Sequence, residues 1–189
     1  MIHDIKNWTF RFNNENFPCE VPCSMYSILL DSGKIEDPYY RDNEKKITAL
    51  SEQNCNFETE INVDEVLLSH AYILLRFDGI DTIADIYLNG RKLAHTENMH
   101  RTFEFDVKPY LHTGKNSLSV QIYSPLKYMR EGQKRHYIPG NAESMDGVAQ
   151  IRKASYMMGW DWGPELPDMG IWKSVSLIAF DRARLLTPS

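Results

Sequence analysis

The chain has no apolar run approaching the roughly 20 residues that a membrane-spanning helix needs, so no membrane partner is expected. It has no basic stripe either. The net charge is −5 with both signs interspersed, which argues against nucleic acid as a ligand. Only three cysteines occur, Cys19, Cys23 and Cys55. An odd number is a poor disulfide framework and fits a reducing compartment. Cys19 and Cys23 have the proximity to share a metal, but no matching pair of further ligands accompanies them, and no cofactor is expected. The first residues, Met1-Ile2-His3-Asp4-Ile5-Lys6-Asn7, lack a basic segment leading into an apolar one. They do not read as a signal peptide, and with Met1 as the native start a cytoplasmic protein is expected. No internal repeat is visible, and helical periodicity is scarce.

What is present is the alternation of strands. Trp8–Phe12 alternates aromatic and polar residues, and Cys55, Phe57, Ile61 and Val63 share one face of a longer stretch. Ala71–Phe77 is nearly continuous in apolar residues and predicts a central strand covered on both sides. Ala84–Leu88 runs into Asn89-Gly90, a hairpin signal, and returns through Arg91-Lys92-Leu93. Phe103–Val107 and Leu118–Ile122 alternate again around a turn at Gly114-Lys115-Asn116, and Ser174–Phe180 is the last strand. Ser24 is placed to cap a short helix through Ile28 and Leu29, closed by Gly33, and Glu44–Leu50 suits a second. Ser124 to about Gln150 is expected to be irregular. Many short strands with one or two short helices predict an all-β antiparallel sandwich or jelly roll. The 189 residues make one domain, large enough to bury roughly 70% of its unfolded surface. The domain is expected over 1–180. Residues 181–189, with Leu185 and Leu186 unpartnered, read as a linker toward a following domain.

Three of the four tryptophans fall in Gly159-Trp160-Asp161-Trp162-Gly163-Pro164-Glu165-Leu166-Pro167-Asp168-Met169-Gly170-Ile171-Trp172. Neither a helical nor a strand period runs through this segment, so burial alone does not explain it. Glycine and proline at this density make a shaped loop. Indole faces beside carboxylates suit a sugar, whose C–H face covers an aromatic ring while its hydroxyls donate to carboxylate oxygens. A structural loop anchored by its tryptophans is the other reading.

These residues resemble a known family. Val21-Pro22, Asp31–Tyr40 with Asn43-Glu44, Phe77–Gly90, Asn98-Met99-His100, and Ile151-Arg152-Lys153 through Gly159-Trp160-Asp161-Trp162-Gly163-Pro164 to Gly170-Ile171-Trp172 are similar to the N-terminal jelly-roll, galactose-binding-like domain of family 2 glycoside hydrolases. The Trp-Asp-Trp-Gly-Pro loop points to the β-mannosidase branch. After Val21-Pro22 the family has glycine and, shortly after, histidine; here Cys23-Ser24-Met25-Tyr26 stands instead. The resemblance implies a non-catalytic domain packed on a downstream (β/α)8 barrel of the same polypeptide. That barrel supplies the two glutamates of a retaining glycosidase, so no catalytic residue is expected in this chain. It also implies that Asp161 meets the hydroxyls of a β-mannoside or related glycoside, with Trp160 and Trp162 as pocket walls. A carboxylate satisfying loop N–H groups is the competing role for Asp161. A free-standing, lectin-like carbohydrate-binding module and a small metal-dependent jelly-roll enzyme are the alternatives for the whole chain.

Other polar residues carry weaker signals. Arg152 and Lys153 read as a solvated strand face, with orientation of the loop carboxylates or contact with the barrel as the alternative. His95, His100 and His136 have no metal-ligand spacing, and a structural hydrogen-bonding role is expected for His100. Glu143 and Asp146 read as a solvated loop, and Asn89-Gly90 as a turn and nothing more.

Overall fold

A computed structural model describes residues 1–184. In chain order the strands are β1 (Ile2–Asp4), β2 (Asn7–Phe12), β3 (Glu15–Glu20), β4 (Cys23–Ser24), β5 (Cys55–Val63), β6 (Tyr72–Phe77) and β7 (Ile83–Leu88). They continue as β8 (Arg91–Glu97), β9 (Phe103–Asp106), β10 (Gly114–Ile122), β11 (Met158–Trp160), β12 (Gly163–Glu165), β13 (Gly170–Ile171) and β14 (Val175–Phe180). The helices are α1 (Met25–Asp31), α2 (Asn43–Thr48), α3 (Glu65–Ser69) and α4 (Pro125–Arg135). One sheet has the order β1-β14-β6-β9 and the other β3-β2-β5-β10-β7-β8, with antiparallel pairing throughout both. Phe10, Phe57, Ile61, Ile86 and Val120 from the larger sheet and Ile73, Leu75, Phe77, Val175 and Leu177 from the smaller share one apolar core. The chain is therefore an all-β sandwich, as the strand spacing predicts.

The alternation explains most of the layering. Trp8, Phe10 and Phe12 of β2 are buried while Arg11 is exposed, because successive side chains point to opposite faces. In β6 only Ile73, Leu75 and Phe77 are buried, and Leu74 on the other face is half-exposed. The strand is central in its sheet but is not covered on both sides. The doubly covered strand is β7, where Ile83 packs with Leu126, Met129, Ile151 and Met158 on the face opposite the main core. Asn89 and Gly90 take φ values of 51° and 76°, the left-handed pair that a two-residue hairpin requires. Asn89 does more than turn the chain. Its amide donates to the Tyr110 carbonyl and to Asn116 Oδ1 at 2.9 and 2.8 Å, and its Oδ1 accepts from the Ser117 N–H. Gly114 to Asn116 is not a turn but the start of β10, in register with Val63 to Ile61.

Helices exceed expectation. Ser24 caps α1 with a reciprocal Ser27 contact, as its position suggests. The stretch after Ser124, expected to be irregular, opens with α4. The Ser124 hydroxyl accepts from the Lys127 N–H at 3.1 Å, Pro125 fills the first turn, and Lys134 and Arg135 occupy the last. Its buried side is short, essentially Leu126 and Met129, so no apolar period betrays it. Past Phe180, Asp181 accepts from the Ala71 N–H at 3.0 Å and Arg184 bonds to Glu104. The reading of Leu185 and Leu186 lies outside the described residues.

β4 and β13 form the small ladder that ties the tryptophan-rich segment to the core. A Cβ on Gly170 would stand 2.4 Å from the Cys23 carbonyl oxygen and 2.6 Å from Ser24 Cα, both backbone atoms. Gly170→Ala is expected to destabilise the chain by about 1–3 kcal/mol through forced separation of these backbones. Urea unfolding of the variant checks this, and an unchanged midpoint would count against so close a contact.

Candidate functional site

β11 and β12 form a hairpin with Met158 opposite Glu165 and Trp160 opposite Gly163, leaving Asp161-Trp162 at its tip. Gly159 makes it possible. Its φ is 81°, and the space where a Cβ would sit is taken by Glu165 Cγ at 2.5 Å. Trp162 is 79% exposed and Trp160 38%, and their ring centroids lie 5.2 Å apart with planes inclined by 47°. Asp161 is exposed between them. Among the described residues no backbone N–H donates to its carboxylate, so the tip offers an open acceptor beside two apolar faces. The structure therefore brings the three sequence-predicted site residues together on one projecting turn. Trp172 serves differently: its Nε1 donates to the Met99 carbonyl at 3.1 Å and its ring lies over Gly79.

The hairpin is held from several directions. Met145 N–H donates to the Met158 carbonyl at 2.8 Å, and Leu166 N–H to the Met157 carbonyl at 2.9 Å. From α2 the Thr48 hydroxyl donates to the Glu165 carbonyl. Ser51, just beyond α2, donates to the Pro167 carbonyl at 2.8 Å and meets the Tyr26 hydroxyl at 2.5 Å.

Behind the hairpin lies a buried charged group that the sequence reading misplaces. Lys153 is not on a solvated face; its side chain has 0% exposure and that of Asp81 4%. The ammonium pairs with Asp81 Oδ2 and donates to the Asp168 carbonyl at 2.7 Å. Asp81 is fixed in turn by Thr82, whose hydroxyl donates to Oδ1, and by main-chain bonds to Gly170. Asp168 Oδ1 accepts from the Tyr26 and Met169 N–H groups at 3.0 and 2.8 Å. Burial pushes the Asp168 carboxyl up to about 6 against these bonds, and burial pushes Lys153 down against its attraction to Asp81. The available signal is that Lys153 shares the alternating face of Ile151, opposite the exposed Arg152.

The remaining candidates are peripheral to this group. Arg152 is exposed, its carbonyl accepting from the Met99 N–H at 3.0 Å. The His100 side chain is exposed, and it is the Asn98 side chain that accepts, at 2.9 Å, from the His100 N–H. The structural role expected of His100 thus falls to Asn98. His95 instead joins a cluster on the outer face of β7 and β8. There Asp85 accepts from Lys92 at 2.7 Å and Tyr123 at 2.9 Å, with His95 Nδ1 at 2.6 Å. Burial would raise Asp85, but these partners outweigh it and hold the carboxyl at about 2. Glu143 is exposed, and Asp146 accepts from Gln133 at 2.7 Å.

Comparison with known proteins agrees with this architecture. Residues 8–173 match the family described as glycosyl hydrolase 2 galactose-binding domain-like. The mouse β-mannosidase is 33% identical over 94% of this chain, which covers 21% of that protein. A probable β-mannosidase of Caenorhabditis elegans is 28% identical over 90% of the chain and 20% of its own length. The crystal structure of a β-D-mannosidase from Dictyoglomus thermophilum superposes with a TM-score of 0.93 at 35% identity, over 98% of this chain and 23% of that one. An exo-chitosanase from Amycolatopsis orientalis shares the fold, with a TM-score of 0.68 at 22% identity over 95% of this chain and 20% of its own. The chain spans about a fifth of the length of the curated relatives it matches.

The buried group generates two expectations. Lys153→Met leaves the Asp81 carboxylate buried without its counter-charge and is expected to cost about 3–5 kcal/mol in urea unfolding at neutral pH. A loss below about 1 kcal/mol would contradict the pairing. For Asp168 the folded pKa, about 6, stands above the ordinary carboxyl value, so the folded state holds its proton where the unfolded chain has released it. Stability contributed through this group therefore falls as pH rises from about 4 to above 6, by roughly 2–3 kcal/mol. Asp168→Asn removes that fall, so the variant gains on the wild type across this window. A stability difference independent of pH would refute the shift.

Proposed function

The chain belongs to the glycosyl hydrolase 2 galactose-binding-like domain family, and from that premise we propose that it is the non-catalytic N-terminal domain of a β-mannosidase-like glycosidase. In this reading the sandwich packs on a downstream (β/α)8 barrel of the same polypeptide, and the barrel carries the two glutamates of a retaining mechanism. Retention needs those carboxyl groups roughly 5 Å apart across the scissile bond. The domain contributes binding rather than bond cleavage. Trp160 and Trp162 cover a C–H face of the mannoside, and Asp161 accepts from its hydroxyls.

The observation that carries this reading is the tip itself. Two exposed indoles inclined to one another flank a carboxylate that the loop leaves open. Exposing that much aromatic surface costs solvation free energy, which contact with a ligand recovers. A carboxylate accepting from a hydroxyl in a partly dry pocket forms a charge-assisted bond worth about 1.5–3 kcal/mol. The similarity to β-mannosidases of mouse and Dictyoglomus thermophilum supports the choice of sugar. The exposed aromatic pair also leaves room for a lectin-like module that binds without a barrel.

In the complete polypeptide, Asp161→Ala is expected to lower kcat/KM for an aryl β-mannoside by about 10- to 150-fold with the fold intact. A folded variant with wild-type kinetics would remove Asp161 from the sugar contact. For this chain alone, calorimetric titration with mannose is expected to show at most weak binding, since only one wall of the pocket is present. Micromolar affinity would favour the lectin-like module.

A further inference from the structure

Lys153 and Asp168 stand 15 positions apart at the two ends of a chain excursion that leaves the sandwich and turns at Asp161-Trp162. The excursion carries its own ladder, but only Met158 opposite Glu165 and Trp160 opposite Gly163 define its register. A two-stranded hairpin of this size is marginal in water, so its direction depends on how its stem is held. The Lys153 ammonium crosses the stem to the Asp168 carbonyl at 2.7 Å and also pairs with Asp81. Asp81 sits in the connection from β6 to β7, and its backbone exchanges hydrogen bonds with Gly170 at 2.8 and 3.1 Å. Immediately before Lys153, the Arg152 carbonyl is held by the Met99 N–H. One side chain thus joins both ends of the excursion and fastens them to the sandwich.

We infer that Lys153 is a positioning residue, a buried clasp that closes the stem and presents Trp160, Asp161 and Trp162 in one orientation. The clasp follows from the geometry, whereas its consequence for catalysis rests on the sugar-contact reading above. Closing the stem in advance lowers the ordering cost that a ligand would otherwise bear on binding, and keeps the carboxylate at a fixed angle to the indoles. The hydrogen bonds from Thr48 and Ser51 secure the returning strand and that from Met145 the outgoing one, whereas the Lys153 ammonium ties the two ends at the base to the sandwich.

The test separates a clasp from a general core contact. Asp81→Asn/Lys153→Met removes the ion pair as a unit, so neither of its partners is left buried and unpaired, yet the bond to the Asp168 carbonyl is lost. Hydrogen exchange by mass spectrometry on the full chain is then expected to accelerate roughly 10-fold or more in peptides covering residues 154–167, with β5 and β10 protected as in the wild type. Equal protection of 154–167 in the two proteins would overturn the inference. So would global unfolding of the double variant, because Lys153 would then be an ordinary core residue. In the complete polypeptide the double variant is expected to lower kcat/KM for an aryl β-mannoside about 10-fold or more. Local release of 154–167 with undiminished kinetics would retain the clasp and remove the tip from sugar recognition.

Discussion

The arrangement depends on a positive charge taken out of water. An ammonium without exposed surface is tolerated only where an opposite charge and hydrogen-bond acceptors replace its hydration, and Asp81 and the Asp168 carbonyl do so for Lys153. Because those partners come from distant parts of the chain, satisfying the charge forces three segments to meet. They are the β6–β7 connection, the stretch entering β11 and the stretch leaving β12. Ile80, Met169 and Ile171, beside these partners, also belong to the apolar core that the two sheets share. What the buried pair adds is a fixed relation between that core and one projecting hairpin.

The division of labour is consistent with the two faces of the molecule. Inner faces are apolar and alternate along β2 and, except at the partly buried Thr59, along β5. The outer face of β7 is covered by α4 and by the segment that includes Ile151 and Met158, so the hairpin rises from a second small apolar cluster rather than from bare sheet. Gly159 and Gly170 are needed at the two close approaches, against Glu165 and against β4. Rigid support of this kind lets a short turn carry exposed aromatics without collapsing onto the surface.

Much of this is legible in the residues. Alternation identifies most of the longer strands, Asn89-Gly90 fixes a hairpin, and Ser24 marks α1, because each is a local signal with a local cause. The grouping of Trp160, Asp161 and Trp162 on one turn is also local, given their spacing. What escapes is long-range. Lys153 resembles a surface residue until Asp81, 72 positions away, is placed beside it. Similarly, α4 buries too few apolar residues to show a period, and β6 reads as doubly covered although nothing packs fully on its outer side.

The account is tested most directly by the nuclear magnetic resonance of the Lys153 side chain. A clasped, buried ammonium predicts slowly exchanging Nζ–H protons with through-bond couplings to the Asp81 carboxylate and the Asp168 carbonyl. An amine in rapid exchange with water, with no such couplings and with shifts like those of the exposed lysines, would contradict it.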